Sequence, residues 1–549
     1  MAIEAAGVLV ETIAALSRRA PAVVAAAARA LGQTRLMLYF GDGSDASLIG
    51  RQSRLIAAQS PVNPTVEVHF DDRTLALLFD AQCRTTDEVL EQSLDMRGSR
   101  PELLAAWRTF SILSQRASGM RIVQTIWRDY RDQFGDDRWS RQVIERERTR
   151  RRGVAFWDHP RWPALTYLDH RHPAARELIQ KGEPVLAPAR SLWNGRDGAS
   201  WQDQPDIFDN DLSETLDRCK QQVVQEILSL IPRKAPSADL YDLMRDYVTR
   251  EGKGLRPTLT IATCMALGGR MEDAVRAASA LEMFHNGFLV HDDIADESTH
   301  RRGKPTLHEA NGIGLAVNAG DGMNLFAVDL TLSNLETLGL ARTLGLIHEI
   351  LHMCRETLEG QAIELGWIRR NTVPSRDADY SRMSTKKTGW YTCISPCRMG
   401  AVAAGETDPT VLDLFNEAFR LIGIAFQIQD DVLNLIGETE LYGKEALGDL
   451  LEGKRTVMMI HLFRTAPPKV KARMRKINAM PRVQKTQGHA EEMLAAMRKA
   501  KSIEYAVALA DRLANKGVKR FERDLSFIAE NPAKAVLRQI ANYVTTRAL

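Results

Sequence analysis

The stretch that most constrains this chain is Leu281-Glu-Met-Phe-His-Asn-Gly-Phe-Leu-Val-His-Asp-Asp-Ile-Ala-Asp296, an apolar helix-like run that ends in carboxylates at Asp292, Asp293 and Asp296. On an α-helix Asp292 and Asp296 lie one above the other on a single face, about 6 Å apart along the axis. Two bare carboxylates that close repel each other. A divalent cation between them removes the penalty, and an oxygen-only donor set suits Mg²⁺, which keeps waters and shares substrate phosphates. An acidic cluster of this kind is more often a solvated helix face, so the pattern needs a counterpart elsewhere in the chain.

The counterpart is Phe426-Gln-Ile-Gln-Asp-Asp-Val-Leu-Asn434, with an apolar approach, two aspartates at Asp430 and Asp431, and an oxygen donor at Asn434. Around the two acidic stretches stand Lys253, Arg256, Arg301, Arg302, Lys387 and Lys454, each in a glycine-marked or turn-like setting. Acids that hold metal, together with cations that hold phosphate, are what a diphosphate site requires.

At 549 residues the chain is long enough for two or three domains. A formal charge of +3 with 26% charged and 44% hydrophobic residues gives no global argument for a nucleic-acid or membrane partner. No apolar run reaches the roughly 18 residues of a membrane span. Met1 to Leu31 is alanine-rich but interrupted by charges, and reads as an amphipathic helix rather than a secretory signal. Six scattered cysteines form neither a disulfide framework nor a CxxC pair, which fits a reducing cytoplasm.

Seven of the nine tryptophans precede residue 205, which marks a shift in composition there. Thr34–Phe40 and Thr65–Phe70 read as strands, Asp72–Phe79 as the start of a helix, Ser93–Arg97 as a strand, and Pro101–Phe110 as a helix with proline at its start. That order is an α+β unit. The strand followed by Asp71-Asp72 and the layout TLALLFDAQCRTTDEVLEQSLDMRGSRPELLAAW resembles the lipid-carrying fold of the sterol-carrier-protein family over residues 34–115. The resemblance implies a sheet covered by helices around an apolar tunnel and possible transient lipid or membrane contact. An α+β interaction module is the alternative.

The basic end of Glu145–Arg152 reads as a solvated helix end, with a phosphate or anionic-lipid contact as the sharper alternative. The Trp- and Pro-rich run from Trp157 to Asp206 reads as a connector, and His159, His170 and His172 as turn packing rather than a metal set. The organisation expected is therefore an α+β domain over 1–130, a connector over 131–210 and an all-α domain over 211–549.

The motifs of the last segment fall in a fixed order: Gly252-Lys-Gly-Leu-Arg-Pro257, His285, Asp292–Asp296 with Arg301-Arg302-Gly303, Gly360-Gln361, Lys387-Thr388-Gly389, Gly423 with Gln427 and Asp430-Asp431, and Gly443-Lys444 through Gly453-Lys-Arg-Thr456. In this order they resemble the all-trans isoprenyl diphosphate synthases. The resemblance implies an all-α bundle around a central cavity, a homodimer, and condensation of isopentenyl diphosphate with an allylic diphosphate. It assigns Lys253, Arg256, His285 and Arg302 to the isopentenyl diphosphate. Arg301, Lys387 and Lys454 then hold the allylic diphosphate with about three Mg²⁺, and Thr388 and Gln427 complete the catalytic set. The metal set is Asp292, Asp293, Asp296, Asp430, Asp431 and Asn434, in which Asp292, Asp296 and Asp430 bind directly and Asp293, Asp431 and Gln427 give support. Two positions depart from the family pattern, Asn434 and Glu364, each of which is Asp in many members.

Product length turns on Phe288, one helical turn before Asp292, on Phe284 one turn deeper, and on Gly287, which is expected to open space beside Phe288. Both rings also read simply as core. Geranylgeranyl diphosphate, C20, is the expected product, with C15 or a medium-chain product as alternatives. A terpene cyclase lacks the second diphosphate set. A non-catalytic regulatory or lipid-carrier scaffold is the alternative of another class, and the complete acidic and basic motifs speak against it.

Overall fold

In the computed structural model the described residues are 4–70, 94–117, 120–132, 207–208, 211–250, 252–406, 409–436 and 447–546. The helical start at Asp72–Phe79, Cys83, the basic run 145–152, the three connector histidines and Gly443-Lys444 lie outside them. The described residues form two compact units, one running through residue 132 and including residues 332–345, the other made of the remainder.

The first unit begins with two helices, α1 (Ala5–Arg19) and α2 (Pro21–Leu31), where the sequence pattern predicts one. Pro21 has no N–H to continue α1 and its fixed φ suits a first helical turn, so the chain breaks at Ala20. Five strands follow: β1 (Arg35–Phe40), β2 (Asp45–Arg51), β3 (Arg54–Ala58), β4 (Val66–Phe70) and β5 (Leu94–Gly98). They form one sheet in the order β3-β2-β1-β4-β5. β1 and β4 are parallel, in the register Leu36 to Val66, Leu38 to Val68 and Phe40 to Phe70, and the other pairings are antiparallel. The period of two sends Leu36, Leu38, Phe40, Val66, Val68 and Phe70 into a core shared with α1, α2, α3 (Arg100–Ala117) and α4 (Arg121–Asp132). β2 and β3 escaped the sequence reading. They are joined by Gln52-Ser53, both at positive φ, a left-handed turn made without the Asn-Gly or Asp-Gly that usually marks one.

The second unit is helical apart from a two-residue hairpin. Its principal helices are α5 (Leu212–Leu230), α6 (Asp242–Thr249), α7 (Leu255–Ala266), α8 (Met271–Ala295), α9 (Ile313–Ser333), α10 (Gly339–Arg369, from residue 346 on), α11 (Asp377–Ser384), the π-helix Thr385–Ile394, α12 (Ser395–Ala404), α13 (Leu414–Ile436), α14 (Gly448–Glu452), α15 (Val457–Thr465), α16 (Pro468–Asn478) and α17 (Ser502–Asp524). Asp211 caps α5 by accepting the Ser213 N–H at 2.8 Å. α8 and α13 run through the interior, as shown by buried Ala277, Ala278, Leu281, Phe419, Ile422 and Ala425. Each carries one acidic pair at its C-terminal end. No described helix is long and apolar enough to cross a membrane, and no described cysteine is in a disulfide.

Candidate active site

The ends of α8 and α13 open on one cavity of about 610 Å³. Its wall contains Asp292, Asp430 and Asp431 together with Lys253, Arg256, His285, Arg301, Arg302, Lys387, Thr388, Gln427 and Lys454. Sites read from far-separated motifs thus share one space. Asp293, Asp296, Asn434, Phe284, Gly287 and Phe288 are not in that wall.

One end of the cavity is organised by Tyr391, a residue the sequence reading passed over. The Arg256 guanidinium lies 4.7 Å from the Tyr391 ring centroid and donates to Thr392 Oγ1 at 2.9 Å. His285 stacks on the same ring at 5.4 Å. Burial, then the Arg256, Arg302 and Arg301 charges, hold the His285 imidazole well below its ordinary pKa, so it is neutral. Buried His285 Nδ1 and Arg256 Nε have no hydrogen-bond partner among the described residues. Arg302 sits in the tight turn of the small hairpin His300–Arg301 and Lys304–Pro305, where Arg302 and Gly303 take φ of 53° and 74°. The turn sends Arg301 inward and leaves Arg302 beside Gly252.

At the other end the cations and carboxylates interlock. Lys387 Nζ lies 3.3 Å from Asp292 Oδ1 and is also hydrogen-bonded to Glu364 Oε2, while Gln361 Nε2 donates to Asp292 Oδ1 at 2.7 Å. Gly360 makes this possible, since a Cβ there would stand 2.2 Å from the Lys387 backbone nitrogen. Lys454 Nζ lies 3.2 Å from Asp296, 3.1 Å from Asp449 and 2.6 Å from Glu452. Asp449, on α14, lines the cavity and was also missed; an acid five residues before Lys454 is a faint signal. Neighbouring Lys386 turns the other way and ties Glu356 and Glu359 together.

The second aspartate of each pair is buried as a strut. Asp293 Oδ1 accepts from Arg301 Nε at 2.8 Å and also from Arg301 Nη2, and its Oδ2 accepts the Tyr247 hydroxyl at 2.5 Å. Asp431 Oδ2 accepts the Tyr380 hydroxyl at 2.7 Å, and its Oδ1 accepts Gln427 Nε2 at 2.8 Å. Each oxygen of both carboxylates therefore accepts at least one hydrogen bond from the protein. Burial and then the nearby Asp449 charge raise the Asp431 carboxyl above the usual range. Tyr380→Phe leaves Oδ2 of buried Asp431 without its donor while Gln427 still serves Oδ1, and the unfolding free energy is expected to fall by about 1–3 kcal/mol in chemical denaturation.

Two expectations change. Asn434 is buried away from the cavity, and its amide oxygen accepts the Asp449 N–H at 3.0 Å, which places α14 rather than presenting a metal ligand. Gly287 does not open space: a Cβ there would lie 2.7 Å from Asn324 Oδ1 and 3.1 Å from the Gly320 carbonyl, so this is where α8 packs on α9. Phe284 and Phe288 stack at 6.1 Å, with Phe288 6.4 Å from Tyr391.

A bound cation would have to draw on this acid set. Among the described residues no three acid, histidine or cysteine side chains are gathered closely enough to hold one ion by themselves. The acids that face the cavity, Asp292, Asp430, Asp431, Asp449 and Glu364, offer oxygen donors alone, which fits a hard cation held by one or two carboxylates and completed by phosphate oxygens.

The polyprenyl synthetase family model matches residues 237–497. Geranylgeranyl diphosphate synthase of Methanosarcina mazei is 31% identical over 318 residues, 58% of this chain and 92% of that protein. Geranylfarnesyl diphosphate synthase of Aeropyrum pernix is 32% identical over 44% of this chain and 74% of its own length. The crystal structure of geranylgeranyl pyrophosphate synthetase from Pyrococcus horikoshii superposes with a TM-score of 0.53 at 30% identity, over 61% of this chain and 98% of that one. With Asp292, Asp430 and Asp431 and its cations facing one cavity, this chain belongs to the polyprenyl synthetase family, the prenyltransferases that make isoprenyl diphosphates.

Proposed function

We propose that the chain condenses isopentenyl diphosphate with an allylic diphosphate, with Mg²⁺, to give a short-chain all-trans product, geranylgeranyl diphosphate (C20). The observation that carries this reading is the single cavity with two unlike ends, an Arg256, His285 and Arg302 cluster at one and the acid-lysine lattice at the other. Asp292, Asp296 and Asp430 would hold Mg²⁺, about three ions in all, and when bound the metal neutralises charge on the departing diphosphate. Lys387, Lys454 and Arg301 are placed to take the allylic diphosphate, and Lys253, Arg256, His285 and Arg302 to take the other. Cleavage of the allylic C–O bond leaves an allylic cation and diphosphate. The double bond of isopentenyl diphosphate attacks that cation, and the released diphosphate accepts the proton then lost. The protein supplies no nucleophile. It positions two anions, compensates charge, and excludes water that would trap the cation.

The C20 reading draws support from relatives named for geranylgeranyl and geranylfarnesyl diphosphate. Incubation of the full chain with labelled isopentenyl diphosphate, Mg²⁺ and dimethylallyl, geranyl or farnesyl diphosphate, followed by chromatography of the dephosphorylated products, tests it. Phe288→Ala and Phe284→Ala are expected to lengthen the product by at least one isoprene unit, because the two stacked rings lie on α8 below Asp292, behind Tyr391 of the cavity wall, and removing either lets the cavity extend along that helix. An unchanged product from both would assign those rings to packing alone.

A homodimer of this enzyme is supported by exposed apolar residues on two helices, Ile313, Val317, Leu325 and Val328 on α9 and Leu351, Leu358 and Leu365 on α10. The last three recur every seven residues and share one face. We take residues 211–549 as the catalytic domain, 131–210 as a connector and 1–130 as an α+β domain of sterol-carrier type, in the cytoplasm. Its mixed sheet with helices packed on it supports that type. Unchanged turnover and product release in the presence of membranes after removal of residues 1–205 would rule out a part in handling the product.

A further inference from the structure

Between Glu452 and Glu491 the chain carries ten lysines and arginines and no acid. The first of these cations serve the cavity, but the run continues onto the surface along α16 and the turn Arg482–Gln484. Arg473 pairs with Glu492 at 2.7 Å and Arg464 with Asp377 at 3.2 Å. Lys469, Lys471, Arg475 and Lys476 have no acidic partner among the described residues, and Lys469, Arg475 and Lys476 are exposed. Lys471 reaches only the Arg464 carbonyl, and Arg475 lies over the Phe463 ring.

The turn that follows presents Val483 with 84% of its surface exposed, the highest value among the exposed large hydrophobic residues that the structure describes. It is not a loose tip. Lys485 Nζ donates to the Leu451 carbonyl at 2.9 Å and Arg482 lies 3.7 Å from Glu452, so the turn is fastened to α14, the helix that brings Asp449 to the cavity. Val483 is thus an apolar side chain held in water by a fastened turn, in the same basic run as Lys469, Arg475 and Lys476, and it gains nothing inside the fold.

We propose that α16 and the Arg482–Gln484 turn form a docking surface for an anionic lipid bilayer, with Val483 entering the headgroup region and Lys469, Arg475 and Lys476 facing the lipid phosphates. Each cation held near such a surface adds to the attraction, and an aliphatic rather than aromatic or hydrogen-bonding tip favours lipid over nucleic acid. The surface lies next to α14, at the cavity wall. If the enzyme makes the prenyl diphosphate proposed above, its product is an amphiphile with both halves of a lipid's chemistry, and docking there shortens its passage to a membrane. That benefit rests on the proposed reaction; the docking itself does not.

Co-sedimentation of the full chain with vesicles of phosphatidylcholine alone, or of phosphatidylcholine with phosphatidylglycerol, tests the surface without reference to catalysis. Association with the anionic vesicles only, weakened by added salt, is expected. Exchange of Lys469, Arg475 and Lys476 together for glutamine should weaken it at least about tenfold, and Val483→Ser a few-fold. Turnover of soluble substrates and the melting temperature should not change, since none of the four touches the cavity. Equal association with neutral vesicles, no association at low salt, a preference for nucleic acid, or binding that survives these substitutions would each overturn the proposal.

Discussion

Asp292→Asn is expected to lower kcat by about 10²–10³-fold while leaving the protein folded. Two other motifs converge on Asp292, through Gln361 Nε2 at 2.7 Å and Lys387 Nζ at 3.3 Å. Asparagine keeps the shape and one acceptor oxygen, so the contact with Gln361 survives. Lys387 retains its bond to Glu364, so no buried cation is stranded. What disappears is a negative charge at the cavity wall, which the proposed reaction uses to hold metal against the leaving diphosphate. Steady-state kinetics beside a thermal melt separate the two effects. Activity within twofold of the parent, with an unchanged melting temperature, would remove Asp292 from the catalytic set.

The largest stability effect is expected outside the cavity wall, at Arg398. Its Nε donates to Glu349 Oε2 at 2.7 Å, its Nη2 to Glu349 Oε1 at 2.8 Å, and its Nη1 to Asp413 at 2.8 Å and Asn416 at 3.1 Å. Glu349 is 2% exposed, so Glu349→Ala leaves a guanidinium buried without its main partner and should cost about 3–5 kcal/mol in chemical denaturation. Arg398→Met should cost a similar amount. The double variant should lose less than the sum, because the second change removes the charge that the first leaves uncompensated. Burial alone would raise the Glu349 pKa, but the Arg398 charge and hydrogen bonds outweigh it and hold the carboxyl below the ordinary glutamate value of 4.5. The contribution is therefore fully present above about pH 4.5 and is lost as pH falls through the lower folded value. Strict additivity of the two single changes would show that the pair is not coupled.

What could be read from the sequence was the chemistry of each motif, because a metal and two diphosphates demand particular side chains at particular spacings. Asp292 and Asp430, Lys253, Arg256, His285, Arg302, Lys387 and Lys454 all belong to short, glycine-marked stretches. What could not be read was the support beneath them. Tyr247, Tyr380 and Tyr391 are ordinary aromatic residues in helical runs, and only the packing of distant helices sets two of them under an aspartate and the third under Arg256. Gly287 carried a misleading signal for the same reason. A glycine beside a cavity and a glycine pressed against another helix have the same letter, and Asn324 and Gly320 decide between them. In the first unit β1 and β4 alternate clearly, whereas β2 and β3 are joined by Gln52-Ser53, a turn whose backbone sign no residue type announces.

The approach at Gly360 has a mechanical consequence. With the Lys387 backbone seated against that Cα, α10 and the π-helix meet at a hinge pin, and Gln361 and Lys387 leave the same pin to reach the same carboxylate. The three groups are therefore linked through one backbone contact rather than placed as three independent side chains. A substitution at Gly360 that parts the two helices would move Gln361 and Lys387 relative to Asp292 together.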